Sequence, residues 1–265
     1  EMCIRDSMAY REKIYYLPHN IDHEYVYVGN YGAKGEKRSL KLKPTPEQIQ
    51  KQNQANRRRY VRRLILANFD KGDLWTTLKY PAGTRFSDSE VMKKDIKAFI
   101  RKLRSVYKKA GEELKYIYRM EIGKKGAPHI HILINRGKQL NTMDILGQAW
   151  KPGRFNVTPY EGEYRVDDLA KYITKLPEEE ERQLSFFPED DRKSLVRFQS
   201  SRNLIKPQPV IKEYKRRTLR SLVIEGPKPT RGYAIDKNSI NTGTNPYTGM
   251  SWYRYTEIRS ERMNI

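Results

Sequence analysis

The sequence contains one cysteine, Cys3, among 265 residues. Cys3 lies in the segment EMCIRDS, residues 1–7, which looks like the translation of a sequencing-library adapter read in frame up to Met8. We expect these residues to be an artefact and exclude them from fold prediction. Without Cys3, disulfides, cysteine zinc sites and thiol nucleophiles are all excluded. Any metal site must therefore use histidine, carboxylate or water ligands.

Long apolar runs are also absent from the sequence. There is no uninterrupted apolar stretch long enough to span a membrane and no apolar segment typical of a signal peptide. We therefore expect a soluble protein without a membrane partner. The sequence also lacks a GxxxxGK[ST] phosphate-binding loop, so we do not expect an ATP-driven motor within the chain.

Acidic residues are scarce relative to basic ones. The chain has 53 Lys and Arg residues against 32 Asp and Glu residues, which gives a formal net charge of +21. A protein of this charge attracts polyanions, and nucleic acid is the polyanion that we expect as its partner. A merely basic surface is the alternative, because charge alone does not separate the two cases.

The two ends of the sequence predict little regular structure. Residues 8–44 show no long periodicity and are predicted as an N-terminal arm, which joins a basic helix to make a first segment, 8–71. Thr45 would cap that helix, with Pro46 in its first turn. The later turns carry five arginines, which indicate a phosphate-contacting face or, alternatively, a solvated one: Arg57, Arg58, Arg59, Arg62 and Arg63. Residues 178–265 are predicted as a C-terminal extension of unclear order.

The first half of the central segment, 72–177, predicts a strand, a helix and a hairpin. The strand is GDLWTTLKYP at 72–81. The helix begins near Ser87 or Asp88 and ends at Gly111. Its apolar residues recur at helical spacing: Met92, Ile96, Phe99, Ile100, Leu103 and Val106. The strands KYIYRMEI, 115–122, and PHIHILIN, 128–135, are joined by the glycine-containing loop GKKGA, which favours a hairpin.

The second half of the segment predicts a short helix capped by Asn141, the strand RFNVTP and the helix VDDLAKYITKL. Leu169, Ile173 and Leu176 form the apolar stripe of this last helix, and Pro177 ends it. The order of elements predicts an α+β fold with a ferredoxin-like, split βαβ antiparallel sheet and helices on one side. The N-terminal and C-terminal segments would be extensions of this core.

The hairpin predicts a metal site. Side chains alternate along a strand, so His129 and His131 project from one face while the isoleucines between them project from the other. If the hairpin closes around GKKGA, Glu121 lies opposite or nearly opposite His129, and Arg119 lies near His131. Two imidazoles and a carboxylate could then hold a divalent cation; we expect Mn²⁺ or Mg²⁺, with Mn²⁺ the better fit to imidazole. An accidental pair of exposed histidines is the alternative interpretation.

A tyrosine and a lysine on the last predicted helix are the candidate catalytic pair. The pattern YxxK occurs three times, at Tyr10, Tyr31 and Tyr172, which chance explains in a chain with 19 tyrosines. Only Tyr172, with Lys175, lies on a well-patterned helix downstream of the histidine hairpin. A tyrosine at the helix edge that only packs its ring is the alternative interpretation.

These motifs, in this order, resemble the rolling-circle replication initiators of the His-hydrophobe-His endonuclease superfamily, found in small phages and plasmids. LWTTLKYP, 74–81, is similar to the first motif of that group, HIH to the second and YITK to the third. The similarity covers roughly residues 30–235. The sequence has a single candidate tyrosine and no third histidine of an HxHxH pattern, which favours the single-tyrosine initiators over conjugative relaxases.

The resemblance implies that Tyr172, with help from Lys175, nicks and rejoins single-stranded origin DNA through a 5′-phosphotyrosine intermediate. It implies that His129, His131 and Glu121 hold the cation, and that a host helicase and polymerase are partners in a bacterial cytoplasm. We predict DNA contacts from the basic residues Arg57, Arg58, Arg62 and Arg119. A single-tyrosine transposase and a non-catalytic basic nucleic-acid-binding protein are the alternatives.

Overall fold

A computed structural model describes residues 10–27, 43–86, 88–123, 125–175, 195, 197–214, 219–245 and 251–260. The chain divides into two compact units: Glu1–Asn53 with Lys206–Ile265, and Gln54–Ile205. The segment boundaries expected from the sequence remain predictions. Among the described residues, no helix is both long and apolar enough to cross a membrane.

The strands and helices lie in the following order. The strands are β1 Tyr10–Tyr16, β2 Asn20–Tyr27, β3 Leu74–Lys79, β4 Tyr116–Ile122, β5 Pro128–Ile134, β6 Phe155–Pro159, β7 Gln199–Ser200, β8 Val210–Tyr214, β9 Tyr233–Thr244 and β10 Ser251–Arg259. The helices are α1 Pro46–Leu66, α2 Glu90–Lys109, α3 Thr142–Ala149, α4 Val166–Thr174 and α5 Arg220–Ile224. A 3₁₀ turn, Gly162–Tyr164, precedes α4.

The unit Gln54–Ile205 is built on a five-stranded antiparallel sheet with the order β6-β3-β5-β4-β7. Its connectivity, β3-α2-β4-β5-α3-β6, places β5 between β3 and β4, as in a split βαβ arrangement. The predicted α+β class is confirmed, and the ferredoxin-like arrangement is consistent with this strand order.

One face of this sheet packs on α2 and α3. The predicted apolar stripe of α2 is buried, except that Tyr107 replaces Val106 in the core. The stripe packs against the outward alternate residues of the strands, such as Met120, Ile130 and Ile132. Gly111, with a φ of +71°, follows the end of the helix as predicted. Ser87 and Leu176, which the sequence placed at helix ends, lie outside the described residues.

The other face of the sheet carries α4. Tyr172 of α4 contacts Glu121 and His131, which alternate with the apolar residues that α2 covers. The expectation of helices on one side therefore fits α2 and α3, while α4 lies over the opposite face. The predicted start of α1 is confirmed, because Thr45 and Gln48 exchange hydrogen bonds between their side chains and backbone N–H groups.

The unit formed by Glu1–Asn53 and Lys206–Ile265 contains a second antiparallel sheet, with the order β8-β1-β2-β10-β9. The sequence predicted an arm and an extension here, not strands. The reason is that its buried positions are polar. Tyr25 and Tyr214 both donate hydrogen bonds to Glu12, at 2.6 Å each, and His23 Nδ1 lies 3.0 Å from the same carboxylate. An aliphatic alternation, on which strand prediction depends, is absent from these strands.

Candidate active site

The hairpin of β4 and β5 has the predicted register. Glu121 pairs with His129 and Arg119 pairs with His131, so all four side chains project from the same face of the sheet. On the other side of β5, Thr77 of β3 pairs with His131 and Lys79 pairs with His129. The sheet therefore brings the chemistry of three strands to one place.

Glu121, His129 and His131 form a compact group of possible metal ligands, with one atom from each within 4.8 Å of the others. Glu121 Oε2 lies 3.8 Å from His129 Nε2 and 3.7 Å from His131 Nε2. An ion bound at ~2.1 Å from each ligand allows ligand separations of up to about 4.2 Å. The two measured separations fall within that limit, and the mixed donor set suits Mn²⁺. The residues present therefore fit a divalent cation.

The tautomer of His129 supports this arrangement. His129 Nδ1 lies 3.1 Å from the carbonyl oxygen of Ala127, which can only accept a hydrogen bond. Nδ1 must therefore carry the proton, and the lone pair of Nε2 faces Glu121. A backbone carbonyl that fixes one imidazole nitrogen in this way is a common feature of metal-binding histidines.

Tyr172 reaches the same group from α4. Its hydroxyl donates a hydrogen bond to Glu121 Oε2 at 2.9 Å and lies 2.7 Å from His131 Nε2. α4 places Tyr172 there because its buried residues, including Val166, Ala170 and Ile173, turn the next face of the helix toward the sheet. The residue that the sequence singled out as a nucleophile is thus brought to the candidate metal ligands.

Two residues that the sequence analysis did not assign to the site hold His131 in place. Thr77 Oγ1 lies 3.1 Å from His131 Nδ1. Trp75 stacks on the imidazole, with ring centroids 5.5 Å apart and planes at 13°, and contacts Tyr172 edge-on at 6.0 Å. The alternation of LWTTLK could have identified both, since Trp75, Thr77 and Lys79 share the face opposite to the buried Leu74 and Leu78.

The surroundings keep His131 neutral. Burial, supported by His129, Arg119 and Lys79 nearby, lowers the pKa of His131 to about 4 despite the opposing effect of Glu121. A neutral imidazole is the form that binds a metal or exchanges hydrogen bonds with a phenol. At neutral pH the ring is therefore in the state that either role requires.

Arg119 is buried beneath the site, with 2% of the residue exposed. Its Nη1 donates hydrogen bonds to the carbonyl oxygens of Tyr172, at 3.3 Å, and Lys175, at 2.5 Å. We expected Arg119 to contact DNA, but this geometry makes it a clamp on the C-terminal end of α4 instead. Lys175 lies directly after α4, and its backbone N–H donates to the Tyr172 carbonyl at 3.2 Å.

Residues 73–177 match a family model for the replication-associated protein ORF2 and its relatives. The matched range contains Glu121, both histidines and Tyr172 with Lys175, and it supports a role in the initiation of DNA replication. No curated protein matches the chain, and no solved structure matches it either.

The other predicted DNA contacts, on α1, take part in contacts within the protein. Arg62 Nε forms an ion pair with Asp167 at 3.2 Å, and Arg58 reaches the carbonyl oxygen of the same residue at 3.5 Å. The Arg57 guanidinium lies 5.3 Å from the centre of the Phe198 ring. Burial, followed by Arg119 and Arg197 nearby, lowers the pKa of Arg57. A DNA contact by these arginines remains a prediction.

Proposed function

We propose that this protein is a replication initiator that nicks and rejoins single-stranded origin DNA, with Tyr172 as the nucleophile. The observation that carries the proposal is the position of the Tyr172 hydroxyl, within 3 Å of both Glu121 and His131. The match of residues 73–177 to a replication-associated family supports the same role. A helix-edge tyrosine without a function has no need of two such partners.

The reaction is a displacement at phosphorus. The Tyr172 oxygen forms a bond to the scissile phosphorus, and the bond from phosphorus to the 3′ oxygen breaks. The products are a 5′-phosphotyrosine and a 3′-hydroxyl, which takes up a proton as it leaves. Because one phosphodiester replaces another, the reverse attack by a 3′-hydroxyl rejoins the strand without ATP.

The phenol must lose its proton as it attacks, since its reference pKa is ~10. Glu121 already accepts the hydrogen bond from this hydroxyl at 2.9 Å, so the carboxylate is placed to receive the proton. Lys175, directly after α4, is proposed to stabilise the phenolate or to position the phosphate. Arg119 contributes by holding the backbone of the same turn.

A divalent cation held by His129, His131 and Glu121, Mn²⁺ or Mg²⁺, would polarise the scissile phosphate and offset the charge that builds on its oxygens. The chain's own contribution is to fix those three ligands on one hairpin and to bring Tyr172 in from a separate helix. The cation and the nucleophile are therefore positioned by different elements.

The proposed substrate is single-stranded or locally melted, because Tyr172 must approach a backbone phosphorus in line with the bond that breaks. Strand separation and synthesis would come from a host helicase and polymerase in the cytoplasm of a bacterium that carries the phage or plasmid. Trp75, half-buried beside His131, offers a ring near the cut strand.

Mass spectrometry of the protein after incubation with Mn²⁺ and single-stranded oligonucleotides tiling the parent replicon tests the proposal. We expect a nucleotide adduct on Tyr172 in the unaltered protein and none in Tyr172→Phe. Tyr164→Phe is the matched control, since Tyr164 precedes the same helix and is 69% exposed. An adduct that persists in Tyr172→Phe would exclude Tyr172 as the nucleophile. If no oligonucleotide is cleaved, the non-catalytic DNA-binding alternative is favoured.

A further inference from the structure

α2 carries a row of cations along its exposed side. Lys94, Lys97, Arg101, Arg104 and Lys108 are exposed and follow one another at intervals of three and four residues. This spacing places them on one side of the helix, and we call these five residues the α2 stripe. At a rise of ~1.5 Å per residue the stripe is about 21 Å long.

The charges of the α2 stripe are largely uncompensated within the described residues. Lys94, Lys97, Arg101 and Lys108 form no ion pair with a described carboxylate. The ion pair on α2 joins Lys93 to Glu90, at 2.9 Å, beside the stripe. Like charges three or four residues apart repel each other, so this arrangement weakens the helix unless an anion lies against it. A chain that retains such a row has a use for a polyanion there.

A concave surface borders the stripe. A groove of about 550 Å³ lies between α2 and the end of α3, and Arg101 and Lys102 line it from α2 while Lys151 lines it from the other side. The small residues Ala98 and Ser105 lie on its α2 wall. Lys102 Nζ donates to the carbonyl oxygen of Gln148, at 2.7 Å, which fixes one cation at the rim. The groove therefore extends the positive surface beyond the helix.

The stripe and the candidate active site are on opposite sides of the sheet. α2 packs on Met120, Ile130 and Ile132, which alternate with Glu121 and His131 along the same strands. A DNA segment that contacts the stripe is thus separate from the strand at Tyr172.

We propose that the α2 stripe binds the phosphate backbone of duplex DNA. Single-strand binding surfaces use aromatic rings on which bases stack, and the aromatic residues of α2, Phe99 and Tyr107, are buried. A duplex presents one phosphate per ~3.4 Å on each strand, so a stripe of about 21 Å faces roughly six phosphates. The inference rests on the proposed function in taking DNA as the polyanion, but it concerns binding and not cleavage.

The test compares two variants of the full chain that lose the same number of charges. The stripe variant carries Lys94→Gln, Lys97→Gln, Arg101→Gln and Lys108→Gln. The matched control carries four exposed changes in the other unit: Lys212→Gln, Lys228→Gln, Arg231→Gln and Lys237→Gln. Fluorescence anisotropy in EDTA, where no metal-dependent cleavage occurs, gives Kd against salt for a duplex of about 30 base pairs, long enough to cover the stripe, and for one of its strands alone.

We expect the slope of log Kd against log salt for the duplex to fall by about 2–4 in the stripe variant and by less than about 1 in the control. The single strand should change little in either variant. A charge-conserving variant with Lys94→Arg, Lys97→Arg, Arg101→Lys and Lys108→Arg should keep the parent slope, which separates loss of charge from damage to the helix.

Equal slopes for the stripe variant and the control would overturn the proposal, because the effect would then follow net charge alone. An equal loss for duplex and single strand would overturn the choice of duplex DNA as the partner. Neither result depends on Tyr172. A parent protein that forms no adduct but shows the duplex effect would refute the proposed function and leave this inference standing.

Discussion

Replacing Arg119 by methionine removes the guanidinium that ties the end of α4 to β4, while an unbranched apolar chain still fills most of the space. The carbonyl oxygens of Tyr172 and Lys175 then lose their donor. Hydrogen bonds from a charged donor contribute about 1.5–3 kcal/mol each, and removal of a buried cation gives part of this back. We therefore expect a loss of about 1–3 kcal/mol in the free energy of unfolding.

The effect on nicking should be larger than the effect on stability suggests. Without Arg119 the turn that carries Tyr172 can shift, and a displacement of about 1 Å in a reacting group lowers the rate by roughly 100-fold. The metal ligands lie on β4 and β5 and not on α4, so they stay in place. Removal of a neighbouring positive charge also favours a cation, and Mn²⁺ should bind as tightly as before or slightly more tightly.

Single-turnover nicking and Mn²⁺ titration by calorimetry, on the same preparations, check this reasoning. Arg119→Lys keeps the charge but not the guanidinium geometry, so its nicking rate should fall between those of the parent and Arg119→Met. Nicking at the parent rate in Arg119→Met would show that the clamp does not position Tyr172. A parallel loss of Mn²⁺ affinity and nicking would show general damage to the unit instead.

Two further changes have expected outcomes. Thr77→Val keeps the shape of the side chain but removes the partner of His131 Nδ1, so Mn²⁺ affinity should fall about 10–100-fold in calorimetry; unchanged affinity would mean that Trp75 alone orients the ring. Glu12→Gln addresses the other unit. Burial raises the pKa of Glu12, but hydrogen bonds from His23, Tyr214 and Tyr25 outweigh it and lower the pKa to about 2. The stability this gives is present above the ordinary value near 4.5 and is lost as pH falls through about 2. In urea unfolding, the parent should therefore exceed Glu12→Gln by up to about 3 kcal/mol at neutral pH and by little at pH 2, whereas a constant difference would contradict the assigned cause.

The hairpin could be predicted because its information is local. Alternation along HIHILI separates the histidines from the isoleucines, and the short glycine-containing loop fixes which residue of β4 meets His129. The helix of Tyr172 was equally readable from its apolar spacing. The convergence of Tyr172 with the hairpin was not, since nothing local states that α4 covers the face opposite to α2. That expectation came from the resemblance to replication initiators.

Arg119 shows where the sequence is ambiguous. An arginine on a strand of a very basic chain reads as a DNA contact, and its position opposite His131 was correctly expected. Its partners are two carbonyls at a helix end about fifty residues later in the chain. Free carbonyls at helix ends occur in every helix and leave no mark in the sequence. The same holds for the buried carboxylate and tyrosines of the first unit, whose polar pattern hides its strands.

The hydrogen bonds around His131 explain why a threonine is suited to position 77. When Tyr172 donates to Glu121, the His131 Nε2–H must donate to the phenol oxygen, and Nδ1 then accepts from the Thr77 hydroxyl. A cation at Nε2 requires the other tautomer, in which Nδ1–H donates to Thr77. A hydroxyl serves both states because it donates and accepts, whereas valine serves neither and asparagine or aspartate would alter the fit. Since binding of a cation to His131 displaces the phenol from the imidazole but not from Glu121, the same tautomer change leaves Tyr172 with a carboxylate as its remaining partner, which is the contact through which its proton can leave.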